Sequence, residues 1–204
     1  MHSGEHMESV NEFEKVVDYI YGVYLDSTTG FDKLREWFEK NQKDLLASLK
    51  RTQPELASID YFDSVNMIYG KGDPNTPEAV ELHRCTQKEY KDRNSKNGSN
   101  FQFLGNMALV SLYQYWEDFH RGQVATELGI KKNDLNAPIM GDLRLIRISI
   151  IHHAGIGLKD IEKCELLKWY KEGDLIFIDK TKFEDIIYHI KNMLKEFRGR
   201  DRNA

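Results

Sequence analysis

Cysteine is scarce in this 204-residue sequence, which contains only Cys85 and Cys164. The two residues lie far apart, and neither belongs to a CxxC pair or to a cluster with histidine. The pattern therefore predicts neither a zinc site nor a disulfide framework, and we expect no metal and no other cofactor. Isolated cysteines are typical of a reducing compartment, so we expect a cytoplasmic location.

The sequence also lacks long apolar runs and an excess of charge of one sign. It has no run of about 18 or more apolar residues and no basic-then-apolar signal peptide, so we expect neither membrane association nor secretion. Lys and Arg number 29 against 33 Asp and Glu, a net charge of −4 that excludes a strongly basic coat. Residues 1–7 are typical of a vector-derived remnant, with the native start near Met7.

Proline is limited to four residues, which favours long uninterrupted elements, and 40% hydrophobic residues predict a folded core rather than disorder. Apolar residues recur at spacings of three and four over most of the chain. This period predicts a mostly α fold, a helical bundle with an N-terminal helical extension and at most one short extended segment or hairpin. The predicted helices are 10–24, 31–54 after a turn at 26–30, 57–69, 76–93, 104–128, 138–155 and 181–197, and the extended segment is 174–178.

The polar, turn-forming segment 94–100, with the sequence NSKNGSN, is the strongest internal boundary. It separates an N-terminal helical region, 8–94, from a C-terminal helical bundle, 101–198, and we expect the two to pack as one unit. No repeat of fixed period occurs, so neither region is predicted to be a repeat array.

The sixth predicted helix differs from the others because it is apolar on two opposite sides. Leu143, Ile146 and Ile150 form one stripe, and Leu145 and Ile148 lie on the other side. A helix that is hydrophobic all round is usually buried all round, so this helix needs a second partner besides its own bundle. A homodimer interface is the most economical partner.

Arg147 and His152 are the reactive side chains of this helix. Arg147 lies beside the buried stripe, where an unpaired guanidinium is costly and needs a carboxylate or a phosphate. Glu117 and Asp118, on the preceding helix, are the nearest candidate partners within the chain. Two interpretations stay open. One is a buried ion pair with a helix-end histidine, and the other is a phosphate-binding guanidinium with an imidazole that exchanges protons near neutral pH.

At these residues the sequence resembles the HEPN superfamily, whose members carry an Arg and, a few residues later, a His near the end of a central helix. The match is Arg147-Ile-Ser-Ile-Ile-His152, and His153 is a second histidine within the permitted spacing. The resemblance covers roughly 101–197. It includes the sequence YWEDFHR at the end of the preceding helix and the sequence GDLIFI before the last helix.

The resemblance implies a helical domain that dimerises with its motif helices facing each other and, in many members, a metal-independent endoribonuclease. In such an enzyme the 2′-hydroxyl of RNA attacks the adjacent phosphate. His152 would then serve as general acid or base, and Arg147 would stabilise the charge of the phosphorane. His153, Arg144 and Glu117 are the supporting candidates. The resemblance also implies a toxin-antitoxin or phage-defence setting, with an antitoxin or regulatory protein as a partner.

One residue departs from the family pattern. Ile148 follows the motif Arg, at a position where members often carry a polar residue, commonly Asn. The departure favours an alternative in which the chain is a non-catalytic, HEPN-like dimeric scaffold or binding module. A third interpretation, a metal-dependent bundle enzyme, comes from the Glu117-x-x-His120 pattern, but such centres need two copies of the pattern and the sequence has one.

A run of basic residues in the N-terminal region offers contacts for RNA phosphates. Acidic residues are interleaved with this run, and a solvated helix face is the simpler interpretation of it. The basic residues of the run are Arg84, Lys88, Lys91, Arg93 and Lys96.

Overall fold

The computed structural model describes residues 7–201 of the chain. Within them the predicted mostly α fold is confirmed. The remnant predicted at 1–7 lies outside the described residues except for Met7, which is buried. The helices are α1 (Glu8–Thr52), α2 (Ile59–Ser64), α3 (Gln87–Arg93), α4 (Ser99–Tyr115), α5 (Arg121–Glu127), α6 (Pro138–His152) and α7 (Lys180–Asp201), and the strands are β1 (Asn66–Lys71) and β2 (Val80–Thr86).

Short irregular helical turns join several of these elements. Trp116–His120 forms a π-helical turn that connects α4 directly to α5. Single 3-10 turns occur at Pro54–Leu56, Lys132–Asp134 and Lys159–Lys163. Across residues 7–201, no helix combines the length and the apolar character needed to cross a membrane.

Helix α1 is continuous where the sequence predicted two helices separated by a turn at 26–30. Its buried positions recur every three or four residues through Val17, Ile20 and Tyr24, and the next one, Thr28, lies inside the predicted turn. The buried stripe therefore continues through residues that favour turns in isolation. The prediction of a break was wrong because tertiary burial outweighs a local preference of this size.

A β-hairpin replaces the end of the predicted helix 57–69 and the first part of the predicted helix 76–93, so both predictions were wrong there, whereas α2 and α3 lie within the remaining parts. β1 and β2 pair in antiparallel fashion, from Asn66 opposite Thr86 to the far end of both strands, with a bulge after Tyr69. Most of the side chains on both strands are exposed. The hairpin therefore buries little apolar surface, and it left no clear hydrophobic period in the sequence.

Two local features shape the hairpin and the start of the helix that follows it. At the bulge, a Cβ added to Gly70 would lie 2.9 Å from the carbonyl oxygen of Val80, so the close approach of the strands requires glycine. At the end of β2, the Thr86 hydroxyl accepts from the Glu89 N–H while the Glu89 carboxylate accepts from the Thr86 N–H. This capping box begins α3 at Gln87, well after the start predicted at 76.

The described chain forms two compact units. Unit 1 combines the residues up to Asp26 with those from Gln102 onward, and unit 2 is Ser27–Phe101. These bounds differ from the predicted ranges 8–94 and 101–198, because the start of α1 belongs to the same unit as the C-terminal helices. The largest fully buried side chains of unit 1 include Phe13, Tyr24, Leu109, Leu112, Trp116, Leu143, Ile146, Phe183 and Phe197.

A buried carboxylate ties α6 to the chain that follows it. Asp142 is 2% exposed and accepts backbone N–H groups from Glu165, Leu166 and Leu167, each at 2.8 Å. Backbone donors are strong partners for a buried carboxylate because they satisfy its lone pairs without side-chain entropy. The three bonds hold the loop at 165–167 against the first turns of α6.

The predicted extended segment 174–178 packs along α4 but forms only one isolated β-bridge, between Leu175 and Ile156. Asn106 of α4 donates to the carbonyl oxygen of Ile176 at 3.1 Å and accepts from the N–H of Ile178 at 3.2 Å. A Cβ on Gly105 would lie 2.0 Å from the Ile178 carbonyl oxygen. This glycine therefore permits the segment to lie directly on the helix.

Candidate functional site

Helix α6 carries the predicted site residues on a rigid, buried support. Pro138 occupies its first turn, where a missing N–H costs nothing. Leu143 and Ile146 are fully buried, and Ile150 is 8% exposed. The inward stripe predicted from the sequence therefore faces the core of unit 1, and the side chains between its members are held at defined angles around the helix.

Arg147 has no carboxylate partner among the described residues. Its Nη2 donates to the side-chain oxygen of Gln114 at 3.2 Å, and its guanidinium lies 5.6 Å from the centre of the Tyr113 ring. Its Nε is buried without a hydrogen-bond partner. A half-buried cation with one neutral hydrogen bond is incompletely satisfied, and a planar guanidinium with free donors is well suited to an oxyanion.

The predicted pairing of Arg147 with Glu117 or Asp118 was wrong. The Glu117 carboxylate instead pairs with Arg121 and Lys132, each at 2.9 Å. Asp118 accepts a hydrogen bond from Gln114, the same amide that accepts from Arg147. Gln114 therefore bridges the Arg147 guanidinium and the Asp118 carboxylate, and it orients Arg147 without neutralising it.

The ion pairs of Glu117 also set its protonation. Partial burial raises the pKa of Glu117, but the hydrogen bonds from Lys132 and Arg121 outweigh burial, so its pKa lies below the ordinary value. The side chain is thus an anion near neutral pH. A Glu117 held in this state offers hydrogen-bond acceptors only and has no proton to donate as a general acid.

The two histidines of the motif stand at the end of α6. His152 is the last residue of the helix and His153 follows it as C-cap, with its N–H bonded to the Ser149 carbonyl. Both side chains are exposed, and neither imidazole has a hydrogen-bond partner among residues 7–201. No hydrogen bond joins either histidine to Arg147 within the described chain. Solvent access and free ring nitrogens are the properties that proton transfer to a bound substrate needs.

The backbone directly after the histidines is strained. Ala154 has φ 52°, and among the described residues it is the only one other than glycine with a positive φ. A left-handed conformation costs a residue with a Cβ about 1 kcal/mol or more, and such strain concentrates at functional sites. The N–H of Gly155 bonds back to Ser149 at 3.1 Å, and the Gly155 carbonyl accepts from Ile176 at 2.7 Å. The helix end that carries both imidazoles is therefore tightly fixed.

The second apolar face of α6 is partly covered within unit 1. Leu145 and Ile148 are half-buried, while Ile151 is 44% exposed. On the neighbouring π-turn, Phe119 is 61% exposed. The face that the sequence predicted for a homodimer contact is therefore narrower than expected, because this unit itself covers part of it.

Arg144 lies one turn before Arg147 and is exposed. It has no hydrogen bond or ion pair in the described part of the chain. It lies near Tyr113, whose pKa is raised by burial first and then by the Glu117 carboxylate, against the opposing effect of Arg144 and Arg147. Tyr113 thus remains a neutral hydroxyl near the guanidinium groups of Arg144 and Arg147.

The five basic residues of the N-terminal run all lie in unit 2, and four of them have partners. Lys91 is the most enclosed, with Asp63 at 2.6 Å and the Gln42 side-chain oxygen at 3.0 Å. Lys96 is exposed and has no partner among the described residues. The other partners are Glu81 for Arg84, Asp92 for Lys88, and His83 together with the Tyr90 ring for Arg93.

His120, the histidine of the metal hypothesis, packs in the core of unit 1. It is 9% exposed, its ring lies 5.2 Å from that of Phe13, and its Nδ1 is buried without a partner. Residues 7–201 contain no cluster of three or more His, Cys, Asp or Glu side chains placed to hold a metal ion. Burial lowers the pKa of His120 below its ordinary 6.5, although the nearby Glu12 carboxylate opposes this.

His120 is expected to make the fold sensitive to mild acid. Since its folded pKa is lowered, the neutral ring stabilises the fold above pH 6.5, and this contribution is lost as the pH falls below that value. Thermal unfolding followed by circular dichroism at about pH 7.5 and pH 5.5 should therefore show a larger fall in Tm for the wild type than for His120→Gln. Equal falls in the two proteins would contradict this assignment.

No protein-family model matches the chain, and comparisons with curated proteins and with solved structures find no significant match.

Sequence reasoning missed the two residues that touch Arg147. Gln114 and Tyr113 precede it by more than thirty positions, and only the packing of α4 against α6 brings them to the guanidinium. The strained Ala154 gave no signal either, because alanine is an ordinary helix former. Helical wheels of α4 and α6 do not identify these neighbours of Arg147, because the wheels do not show how the two helices pack.

Proposed function

We propose that this chain is a metal-independent endoribonuclease of the HEPN type, which acts in the cytoplasm as a homodimer on single-stranded or looped RNA. The observation that carries the proposal is the set of reactive side chains on α6 that are unpaired within the described chain. Its half-buried Arg147 has no carboxylate partner among residues 7–201. Two exposed imidazoles, His152 and His153, also lack a partner there and stand at the end of the same helix on a fixed backbone. A phosphate would complete the hydrogen bonding of the guanidinium, and RNA supplies a phosphate beside a reactive hydroxyl.

The chemistry requires no metal. A neutral His152 removes the proton from a ribose 2′-hydroxyl, and the 2′-oxygen forms a bond to the adjacent phosphorus. The bond from phosphorus to the 5′-oxygen then breaks, and a protonated imidazole delivers a proton to that leaving oxygen. The products are a 2′,3′-cyclic phosphate and a 5′-hydroxyl. Arg147 binds the non-bridging oxygens, whose negative charge grows in the transition state.

A dimer supplies the acid and the base together. Five positions along a helix place Arg147 and His152 about 140° apart, and no contact joins them within the described chain. A second α6, meeting the first across the exposed Ile151 side, would bring the arginine of one copy toward the histidines of the other. The same symmetry doubles the number of imidazoles, so one can remove a proton while another delivers one.

The proposal is tested by incubating the purified protein with total cellular RNA and with tRNA in excess EDTA. We expect discrete cuts that chelation does not suppress and product ends that carry a 2′,3′-cyclic phosphate. Intact RNA, or cutting that EDTA abolishes, would contradict the proposal.

Ile148 supports the alternative of a non-catalytic dimeric scaffold, because a half-buried isoleucine beside Arg147 offers no polar group to a substrate. Sedimentation separates the two functions when it is combined with the RNA assay. A stable dimer that leaves RNA intact favours the scaffold, and a dimer that cuts favours the enzyme. In the enzyme case, an antitoxin or other regulatory protein is the expected partner, since uncontrolled RNA cleavage is toxic to a cell.

A further inference from the structure

Unit 1 contains a cleft of about 270 Å³ between the end of α4 and the first turns of α6. Its lining includes three apolar side chains that are almost fully buried, Trp116, Leu135 and Met140, at 1%, 4% and 3% exposure, while most of the surface that the cleft exposes is polar. Pockets for drug-sized ligands are typically about 300–1,000 Å³, so this cleft has room for one small group. A mostly polar surface over a buried apolar layer suits a ring that carries hydrogen-bonding groups on its edge.

The rim of the cleft is polar and charged. Its lining includes the Glu117–Arg121 ion pair, the exposed Arg144 and Tyr113. A carboxylate has about four acceptor sites, and two of those on Glu117 are used by Arg121 and Lys132. The lining therefore offers free acceptors on Glu117, guanidinium donors and two planar groups, the Tyr113 ring and the Arg144 guanidinium.

The cleft lies beside the proposed cutting site. Arg144 precedes Arg147 by three residues, about 4.5 Å along the helix axis, and Tyr113 contacts the Arg147 guanidinium. Trp116 and Glu117 belong to the π-helical turn, and such turns are rare and are frequent at functional sites. An RNA strand whose phosphate binds Arg147 would therefore present a neighbouring nucleotide to this cleft.

We infer that the cleft binds one unpaired base of RNA next to the cut phosphate, and this inference rests on the proposed ribonuclease function. Bases of single-stranded RNA are commonly stacked on aromatic rings or guanidinium planes and hydrogen-bonded along their edges. Here Tyr113 and Arg144 flank the base, and Glu117 accepts from its edge. The carboxylate favours a base that presents N–H donors, so the enzyme prefers particular sequences at this position.

Gly141 provides a way to fill the cleft without disturbing the fold. It lines the cleft, and a Cβ added there meets no atom within 4 Å. Helical side chains point toward the N-terminus, so the ring of a Gly141→Phe variant would lie over the cleft rather than away from it. Gly22→Phe is the matched control, since Gly22 is also helical, has open space around it and is not among the residues that line the cleft.

The experiment measures cleavage of a randomised single-stranded RNA by the wild type and both variants, with sequencing of the cut ends. A stacked base contributes about 1–3 kcal/mol, so we expect Gly141→Phe to lower kcat/KM by roughly tenfold or more and to lose the base preference. Gly22→Phe should match the wild type. If Gly141→Phe cuts the same sites at the wild-type rate, the cleft does not bind a base, although the ribonuclease proposal stands.

A binding measurement distinguishes a failure of the base-site proposal from a failure of the ribonuclease proposal. The probe is a short fluorescent RNA in which each position is replaced in turn by an abasic nucleotide, and binding is measured with His152→Ala. We expect one abasic position to weaken binding by about tenfold, and this effect should disappear when Gly141→Phe is added. If this result is found while the wild type never cuts RNA, the base site stands and the ribonuclease proposal fails. Equal binding of every abasic probe overturns the base site.

Discussion

We expect Arg147→Ala and His152→Ala to cut RNA at least a hundredfold more slowly than the wild type while remaining folded. General acid-base catalysis contributes about 10²–10⁴ to rate, and a donor aimed at developing negative charge contributes about 10²–10³. Truncating either side chain to alanine should leave the protein folded, because each makes few contacts. Within the part of the chain that the structure describes, Arg147 makes one neutral hydrogen bond and a ring contact, and His152 is exposed and has no hydrogen-bond partner.

Two further variants sharpen this test. Arg147→Lys keeps the positive charge but loses the planar fork that binds two phosphate oxygens, so we expect it to recover only a small part of the lost rate. Lys191→Ala removes a cation of the same unit that pairs with Asp18 at 2.6 Å, and it should cut at the wild-type rate. Circular dichroism and thermal unfolding check that each variant is folded. If folded Arg147→Ala and His152→Ala cut RNA at the wild-type rate, the side chains of α6 take no part in catalysis.

His153→Ala addresses the second imidazole. If only His152 exchanges protons, the variant should keep most of the activity, and if the two histidines share the work, both single variants should show intermediate rates. The cleavage rates of the two single variants, measured side by side on the same RNA, distinguish these cases. A double variant, His152→Ala with His153→Ala, should be inactive in either case, and activity in it would contradict the proposed role of the helix end.

Asp142→Ala should lower the free energy of unfolding by about 3–5 kcal/mol. The carboxylate is 2% exposed and accepts three backbone N–H groups, and its loss leaves these donors buried without partners. For a chain of this size we expect a fall in Tm of about 10 °C. Chemical denaturation and calorimetry measure the free energy of unfolding directly.

Asp160→Ala is the matched control for Asp142. Its carboxylate pairs with Lys163 at 2.7 Å on the surface and is 62% exposed, so its loss should leave the unfolding midpoint nearly unchanged. Asp142→Asn retains one acceptor oxygen and should fall between the wild type and Asp142→Ala. Similar midpoints for Asp142→Ala and Asp160→Ala would show that the loop at 165–167 does not depend on α6.

The sequence predicted those elements whose apolar residues repeat at the helical period over many turns. Helices α6 and α7 appear close to their predicted bounds because their buried residues occupy one continuous stripe. The predicted helix 104–128 is present as α4, the π-turn and α5, since a π-turn inserts one residue without interrupting the stripe for long. Periodicity alone does not reveal such an insertion.

The sequence predictions that were wrong also have local causes. The predicted break in α1 relied on turn preferences of a few tenths of a kcal/mol per residue, which burial of Thr28 outweighs. The hairpin was missed because its strands are short and exposed, so they carry no buried face to set a period of two. At the site, the positions of Arg147 and His152 on α6 followed from sequence, whereas the partner of Arg147 depended on which side chain of α4 packs beside it.

The most direct test of the central proposal uses two RNA oligonucleotides that differ by one oxygen atom. The first is an all-ribose strand that contains a mapped cut site, and the second carries a 2′-deoxy nucleotide on the 5′ side of the cut phosphate. Both are incubated with the wild type in excess EDTA. Attack by the 2′-hydroxyl predicts rapid cleavage of the first strand, with a cyclic phosphate end, and no cleavage of the second at that site. Equal cleavage of both strands, or a requirement for added metal, would contradict the account.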